Sequence, residues 1–290
     1  MRLSSLLLAA SLLVPLAGAQ AATPITIVAA ENFYGDLAKE VAGPHARVVS
    51  ILSNPDQDPH LFEADPNTAR ALADARIVIS NGVDYDPWME KLLAASKGEG
   101  RTVIVAGDLM GRKAGDNPHL WYDPATMVAV AGKLAEDLAQ VDPAHKADYE
   151  ANAKAFVSHL KPLDAKIAAM KQHFAGTPVT ASEPVFGLMA QAIGLDMHNR
   201  AFQTAVMNNT EPSAADVAAF EDDLKQHKVR VMLYNAQADD QAVKRLVDIA
   251  KSSHVPVVGV SETEPAGKSY EAWMTEQLNG LDKALAGSKS

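Results

Sequence analysis

Nine histidines and 36 acidic residues offer many side chains able to hold a metal ion. Position along the chain separates four of them from the rest. His60 sits in the Pro- and Asp-rich turn Asn54-Pro55-Asp56-Gln57-Asp58-Pro59-His60, just past a strand-like run from Arg47 to Leu52. His119 lies in Asn117-Pro118-His119-Leu120-Trp121, beyond a fourth such run. Glu183 follows a fifth directly, in Ser182-Glu183-Pro184, and Glu264 follows an eighth, in Ser261-Glu262-Thr263-Glu264-Pro265. Ligands of open α/β sheets bind beyond the carboxyl ends of the strands, so residues at those ends are placed to act together. Two imidazoles and two carboxylates suit a divalent transition metal such as Zn2+ or Mn2+.

The same filter removes most competitors. His45, His227 and His254 precede strand-like runs and belong at the opposite edge, while His145, His159 and His173 fall on a long helical stretch and read as solvated faces. His198, inside a weakly defined sixth strand, stays open, as do Asp84 and Asp239. Asp239 or Asp240 also reads as the cap of the next helix. Glu262 competes with Glu264 from two residues away; Glu264 is preferred. Glu63, one helical turn from His60, is placed to orient that ring.

The elements that must position these residues alternate regularly. Strand-like runs at Ile25–Ala30, Val48–Leu52, Ile77–Ser80 and Thr102–Ala106 are separated by helical stretches at Asn32–Val41, Pro66–Ala75 and Pro87–Ser96. That spacing predicts βαβ units and a mostly parallel four-stranded sheet. Helical periodicity then runs through Pro124–Ala139 and Pro143–Phe174, with Pro162 expected to kink or divide the second stretch. Alternation resumes with strands at Pro178–Ala181, Asp196–Gln203, Val229–Tyr234 and Val255–Val260 and helices at Pro184–Ile193, Ser213–His227, Asp240–Ser252 and Glu271–Ala286. The fold expected is α/β: two similar lobes, each with a parallel four-stranded sheet flanked by helices. A long helical crossing joins them, and the metal site lies in the cleft between. In boundaries, 1–22 is a signal peptide, 23–142 the N-terminal lobe, 143–174 the connecting helix and 175–290 the C-terminal lobe. A helical crossing is stiffer than a Gly/Ser linker and predicts limited hinge motion.

Arg2, the apolar run Leu6 to Leu16 and Ala19-Gln20-Ala21 carry the three parts of a cleavable secretory signal. With no cysteine in 290 residues there is no disulfide, no thiol chemistry and no acylated cysteine, so the expectation is a periplasmic protein that is not a lipoprotein. A net charge of −10 argues against nucleic acid and anionic membrane surfaces as partners.

The segments Glu31-Asn32-Phe33-Tyr34-Gly35-Asp36, Asp58-Pro59-His60 with Glu63, and Asn117-Pro118-His119-Leu120-Trp121 carry a family resemblance. With Thr180–Gly187 and Val255–Gly267, they resemble the zinc- and manganese-binding solute-binding proteins of ATP-driven importers. The resemblance runs from Ile25 to the C-terminus. It implies one metal ligand from each of four loops, at His60, His119, Glu183 and the Glu262/Glu264 pair. It also implies one bound divalent ion as cargo, an ABC importer permease of the inner membrane as partner, a monomeric receptor and no enzymatic activity. In the family's zinc branch a histidine usually stands where this chain has Glu183, whereas the manganese branch has glutamate. The last ligand is commonly aspartate, which this chain lacks there, and the His-rich loop of many zinc members is missing. These departures lean towards manganese, although N/O sites generally hold zinc more tightly.

Two other readings compete. An exported metallohydrolase needs an open metal position and a nearby base, and the chain has neither His-Glu-x-x-His nor Gly-x-Ser-x-Gly. A receptor for a metal chelate or small organic ligand needs an aromatic-lined cleft; Trp88, Trp121 and Trp273 are too scattered in sequence to supply that argument.

Overall fold

The computed structural model describes residues 24–54, 62–96, 98, 100–237 and 241–287. The signal-like segment, His60, Asp239 and Asp240 lie outside the described residues.

The first sheet contains β1 (Ile25–Glu31), β2 (Ala46–Leu52), β3 (Ile77–Ser80) and β4 (Thr102–Val105), ordered β2-β1-β3-β4 with every pair parallel. Strand β1 is a continuous run of β-branched and small residues, and Ile27 to Ala30 are fully buried, as expected for a central strand covered on both faces. Four helices alternate with these strands: α1 (Asn32–Ala42), α2 (Pro66–Ala73), α3 (Pro87–Ala95) and the single turn α4 (Ala106–Leu109). Helix α2 starts on a capping box. The Asp65 carboxylate accepts the Asn67 and Thr68 amides at 2.8 Å each, and Pro66 fills the first turn, where no donor is needed.

After α5 (Pro124–Val141), the chain forms α6 (Lys146–His159) and α7 (Lys161–Phe174), which meet at Leu160. The division predicted at Pro162 is present but falls slightly earlier. Proline is tolerated in a first helical turn, so the break moves ahead of it rather than kinking one long helix.

The second sheet repeats the first. Strands β5 (Pro178–Ala181), β6 (Asp196–Met197), β7 (Met232–Asn235) and β8 (Val257–Val260) are ordered β6-β5-β7-β8, again all parallel. Helices α8 (Gly187–Ile193), α9 (Arg200–Met207), α10 (Ala214–Lys225), α11 (Gln241–Ser252) and α12 (Tyr270–Gly287) surround it. The expected strand over Asp196–Gln203 shrinks to two residues. Asn199 takes a left-handed conformation, φ 57°, held by its amide on Thr180 and Asp223, and this turn sends the chain into α9 instead.

One hydrophobic core runs through both lobes, from Ile27 and Ile79 through Trp121 to Val179, Leu233, Trp273 and Leu285. Its centre is aromatic: Phe33 stacks on Trp121 with ring centroids 4.5 Å apart, and Tyr122 meets Phe186 edge-on at 5.2 Å. Across the seam, Asn32 and the backbone of Glu264 exchange two hydrogen bonds of 2.7 and 3.1 Å. Tyr122 donates to the Ser261 carbonyl and Tyr270 to the Trp121 carbonyl. Strand ends of the two lobes therefore face each other. No described helix is long and apolar enough to cross a membrane.

Candidate metal centre

His119 is fully buried at the end of the loop that follows β4. Asn81, just past β3, donates to the Pro118 carbonyl at 2.8 Å and receives the Tyr34 hydroxyl, which fixes that loop from the N-terminal lobe. Asn117 fixes it from the other side, because its Nδ2 donates to the Pro184 carbonyl at 2.8 Å. With its nitrogen so engaged, Asn117 turns Oδ1 towards His119 and accepts both the His119 backbone N–H at 3.0 Å and the ring Nδ1 at 2.7 Å. An amide oxygen only accepts, so the network assigns the proton to Nδ1 and leaves a lone pair on Nε2. That Nε2 has no hydrogen-bond partner, and the nearest carboxylate oxygen, Glu262 Oε2, lies 3.5 Å away. Two buried electron-pair donors facing each other are unfavourable unless a cation lies between them.

Glu262, also fully buried, accepts the Tyr85 hydroxyl at 3.1 Å and the Asn235 amide at 2.6 Å. Asn235 ends β7, and its Oδ1 accepts the Gln237 backbone N–H, so its Nδ2 is aimed at the carboxylates. The same Nδ2 lies 3.4 Å from Glu183 Oε2, past the end of β5. Asn235 thus bridges Glu183 and Glu262, and His119 abuts the second. Burial raises the Tyr85 phenol well above its ordinary range, and the Glu262 carboxylate adds to this, so Tyr85 stays a donor.

The structure brings together two of the four residues singled out by strand-end position, His119 and Glu183, with Glu262, the competitor of Glu264. Glu264 lies elsewhere. A bend at Glu262–Thr263, where Gln237 Oε1 accepts both backbone N–H groups, interrupts the alternation that would keep residues two apart on one side. The Glu264 backbone then engages Asn32, and its carboxyl sits beside Asp36 and Lys39 in a separate polar cavity of about 490 Å3. Burial and the Asp36 charge push its pKa up to about 9. It makes no hydrogen bond or ion pair with the other three, so the preference for Glu264 over Glu262 is not carried by the geometry. His60 lies outside the described residues, and Glu63 is exposed.

Two of the open cases, His198 and Asp84, lie away from the centre, and the third, Asp239, is outside the described residues. His198 is held by Asp223 at 2.9 Å beneath α10, and Asp84 is exposed in a left-handed turn. Asp86 turns back onto the Asn81 and Gly82 amides at 2.8 Å, with its pKa pushed up to about 6 by burial. Trp121 and Trp273 are packed in the core, and Trp88 rests on Phe62, so the aromatics do not line a common cleft. Asn81, Tyr85, Asn117 and Asn235 are invisible to a filter of histidines and carboxylates, because none of them is a usual transition-metal ligand. Asn81 and Asn235 pass the same positional test once neutral amides are admitted.

Comparisons with known proteins agree with this architecture. The family model described as zinc-uptake complex component A, periplasmic (ZnuA), matches residues 27–284. The metal ABC transporter substrate-binding lipoprotein ScbA of Streptococcus cristatus is 24% identical over 90% of this chain and 89% of its own. The manganese ABC transporter substrate-binding lipoprotein PsaA of Streptococcus pneumoniae is 25% identical over the same shares. Among solved structures, the periplasmic zinc-binding protein TroA of Treponema pallidum superposes with a TM-score of 0.77 at 19% identity, over 91% of this chain and 99% of that one. FpvC of Pseudomonas aeruginosa in complex with Mn2+ gives 0.76 at 21%, over 92% and 100%. The streptococcal relatives are named lipoproteins, which overturns the expectation that this protein is not one. That expectation rested on the lack of cysteine in this chain. With nearly the whole chain matched and the fold shared, the protein belongs to the ZnuA family of periplasmic zinc-uptake components.

Proposed function

We propose that the protein captures a divalent transition metal outside the cytoplasmic membrane and hands it to the permease of an ABC importer. The carrying observation is the His119 Nε2 lone pair, buried, without a hydrogen bond and 3.5 Å from a Glu262 oxygen. The proposed ligands are His60, His119, Glu183 and Glu262, with Asn117, Asn235 and Tyr85 orienting them. On this reading the lobes span 23–142 and 175–290, with 143–174 between, and the receptor acts as a monomer without enzymatic activity. Manganese is the proposed cargo. Two carboxylates make the donor set harder than one with a third imidazole, and several relatives are named for manganese. Zinc should nevertheless bind the purified protein more tightly.

The test is elemental analysis of the protein isolated from cells, then Mn2+ and Zn2+ titration of the stripped form. His119→Ala and Glu262→Gln are expected to lower affinity by about 100-fold or more, while circular dichroism stays unchanged. Unaltered affinity in both variants would sink the assignment.

A further inference from the structure

On the face of the molecule where both lobes meet the helical crossing, three metal-ligating side chains converge that the centre above does not use. Glu40 comes from α1, His159 from the end of α6 and Glu271 from the first turn of α12. One ligand atom from each lies within 4.8 Å of the other two, and His159 Nδ1 is 3.3 Å from Glu40 Oε2. Glu271 Oε1 is shielded from water and has no hydrogen-bond partner. Burial raises the Glu40 pKa, and the Glu271 carboxylate is the next cause, so two negative charges are being held together. Asp36, one turn earlier on α1, is not part of the group, because it already accepts the Tyr270 backbone N–H at the start of α12.

We propose that Glu40, His159 and Glu271 form a second divalent-cation site, structural in role, which ties α1, α6 and α12 together. One imidazole nitrogen and two carboxylate oxygens suit Zn2+ and ions of similar preference, with water completing the shell. Donors about 2.1 Å from a tetrahedral ion lie about 3.4 Å from one another. The present spacing needs closing by about an ångström, which rotamer changes at three partly exposed side chains can supply. A bound cation would also remove the Glu40–Glu271 repulsion. The three helices belong to the N-terminal lobe, the crossing and the C-terminal lobe, so the ion would brace the seam on a different face from the cargo.

The experiment titrates the stripped full-length protein with ZnCl2 by calorimetry and follows its thermal unfolding. His119→Ala, His159→Ala and Glu271→Gln are compared with the wild type. Two equivalents are expected in the wild type and one in His159→Ala and in Glu271→Gln. In His119→Ala, one equivalent should remain, together with a zinc-dependent rise in Tm that His159→Ala lacks. If the capture reading fails while this one holds, the wild type binds a single equivalent that His159→Ala abolishes. A single wild-type equivalent retained in His159→Ala overturns the proposal. So does a second equivalent that survives both His159→Ala and Glu271→Gln, because surface imidazoles such as the stacked His45–His145 pair would then be the binders.

Discussion

Asn117 does more than join two loops. Its amide nitrogen is committed to Pro184 across the seam, so its oxygen must face His119 and select the tautomer that leaves Nε2 bare. Partners of this kind typically matter 10–100-fold in metal affinity. Asn117→Ala is therefore expected to weaken Mn2+ and Zn2+ binding about 10–100-fold while leaving the fold intact, as read by titration beside circular dichroism. At this scale chemistry and strand-end position point to His119 and Glu183, which the structure places around Glu262 and Asn235, and their role as ligands is the proposal made above. Strand-end position does not separate Glu262 from Glu264, because a backbone bend set by the distant Gln237 decides which carboxylate lies beside His119. Local spacing contains no record of that contact.

Elements were more legible than side chains. Parallel βαβ alternation leaves runs such as ITIVAA that no solvent-exposed segment would carry, and both sheets were foreseen with their strands in place. The short β6 was overestimated because the left-handed Asn199 turn depends on Thr180 and Asp223, far away in sequence. Helix α1 shows how closely elements are fitted. A Cβ added at Gly35 would lie 1.9 Å from Ser50 Oγ and 3.2 Å from Ser50 Cβ, on β2. Gly35→Ala should destabilise the protein by about 1–3 kcal/mol through this overpacking. In a Ser50→Ala background the hydroxyl is gone, and the helical preference for alanine, worth about 1 kcal/mol, should offset most of that loss. Denaturant unfolding of the double-mutant cycle measures both.

The whole molecule responds to acid in two opposing ways. Burial of Asp86 pushes its folded-state pKa up to about 6, above an unfolded value near 3.8. The folded protein therefore takes up this proton first as pH falls. The group costs stability at neutral pH, and that cost shrinks as pH drops through 6. The gain by pH 5 is about 1 kcal/mol. The metal ligands respond oppositely, since bound metal requires their deprotonated forms. The stripped protein should thus gain a contribution to Tm between pH 7 and 5 that is smaller in Asp86→Asn, while the metal-induced rise in Tm shrinks over the same interval.

The continuous core and the Asn32–Glu264 clasp carry a consequence for signalling. A receptor whose halves share one interior cannot announce its cargo by swinging open and shut. Empty and loaded molecules are then expected to keep nearly one outline, as solution scattering of the stripped and metal-loaded protein would show, leaving the loops around the ion to carry the signal.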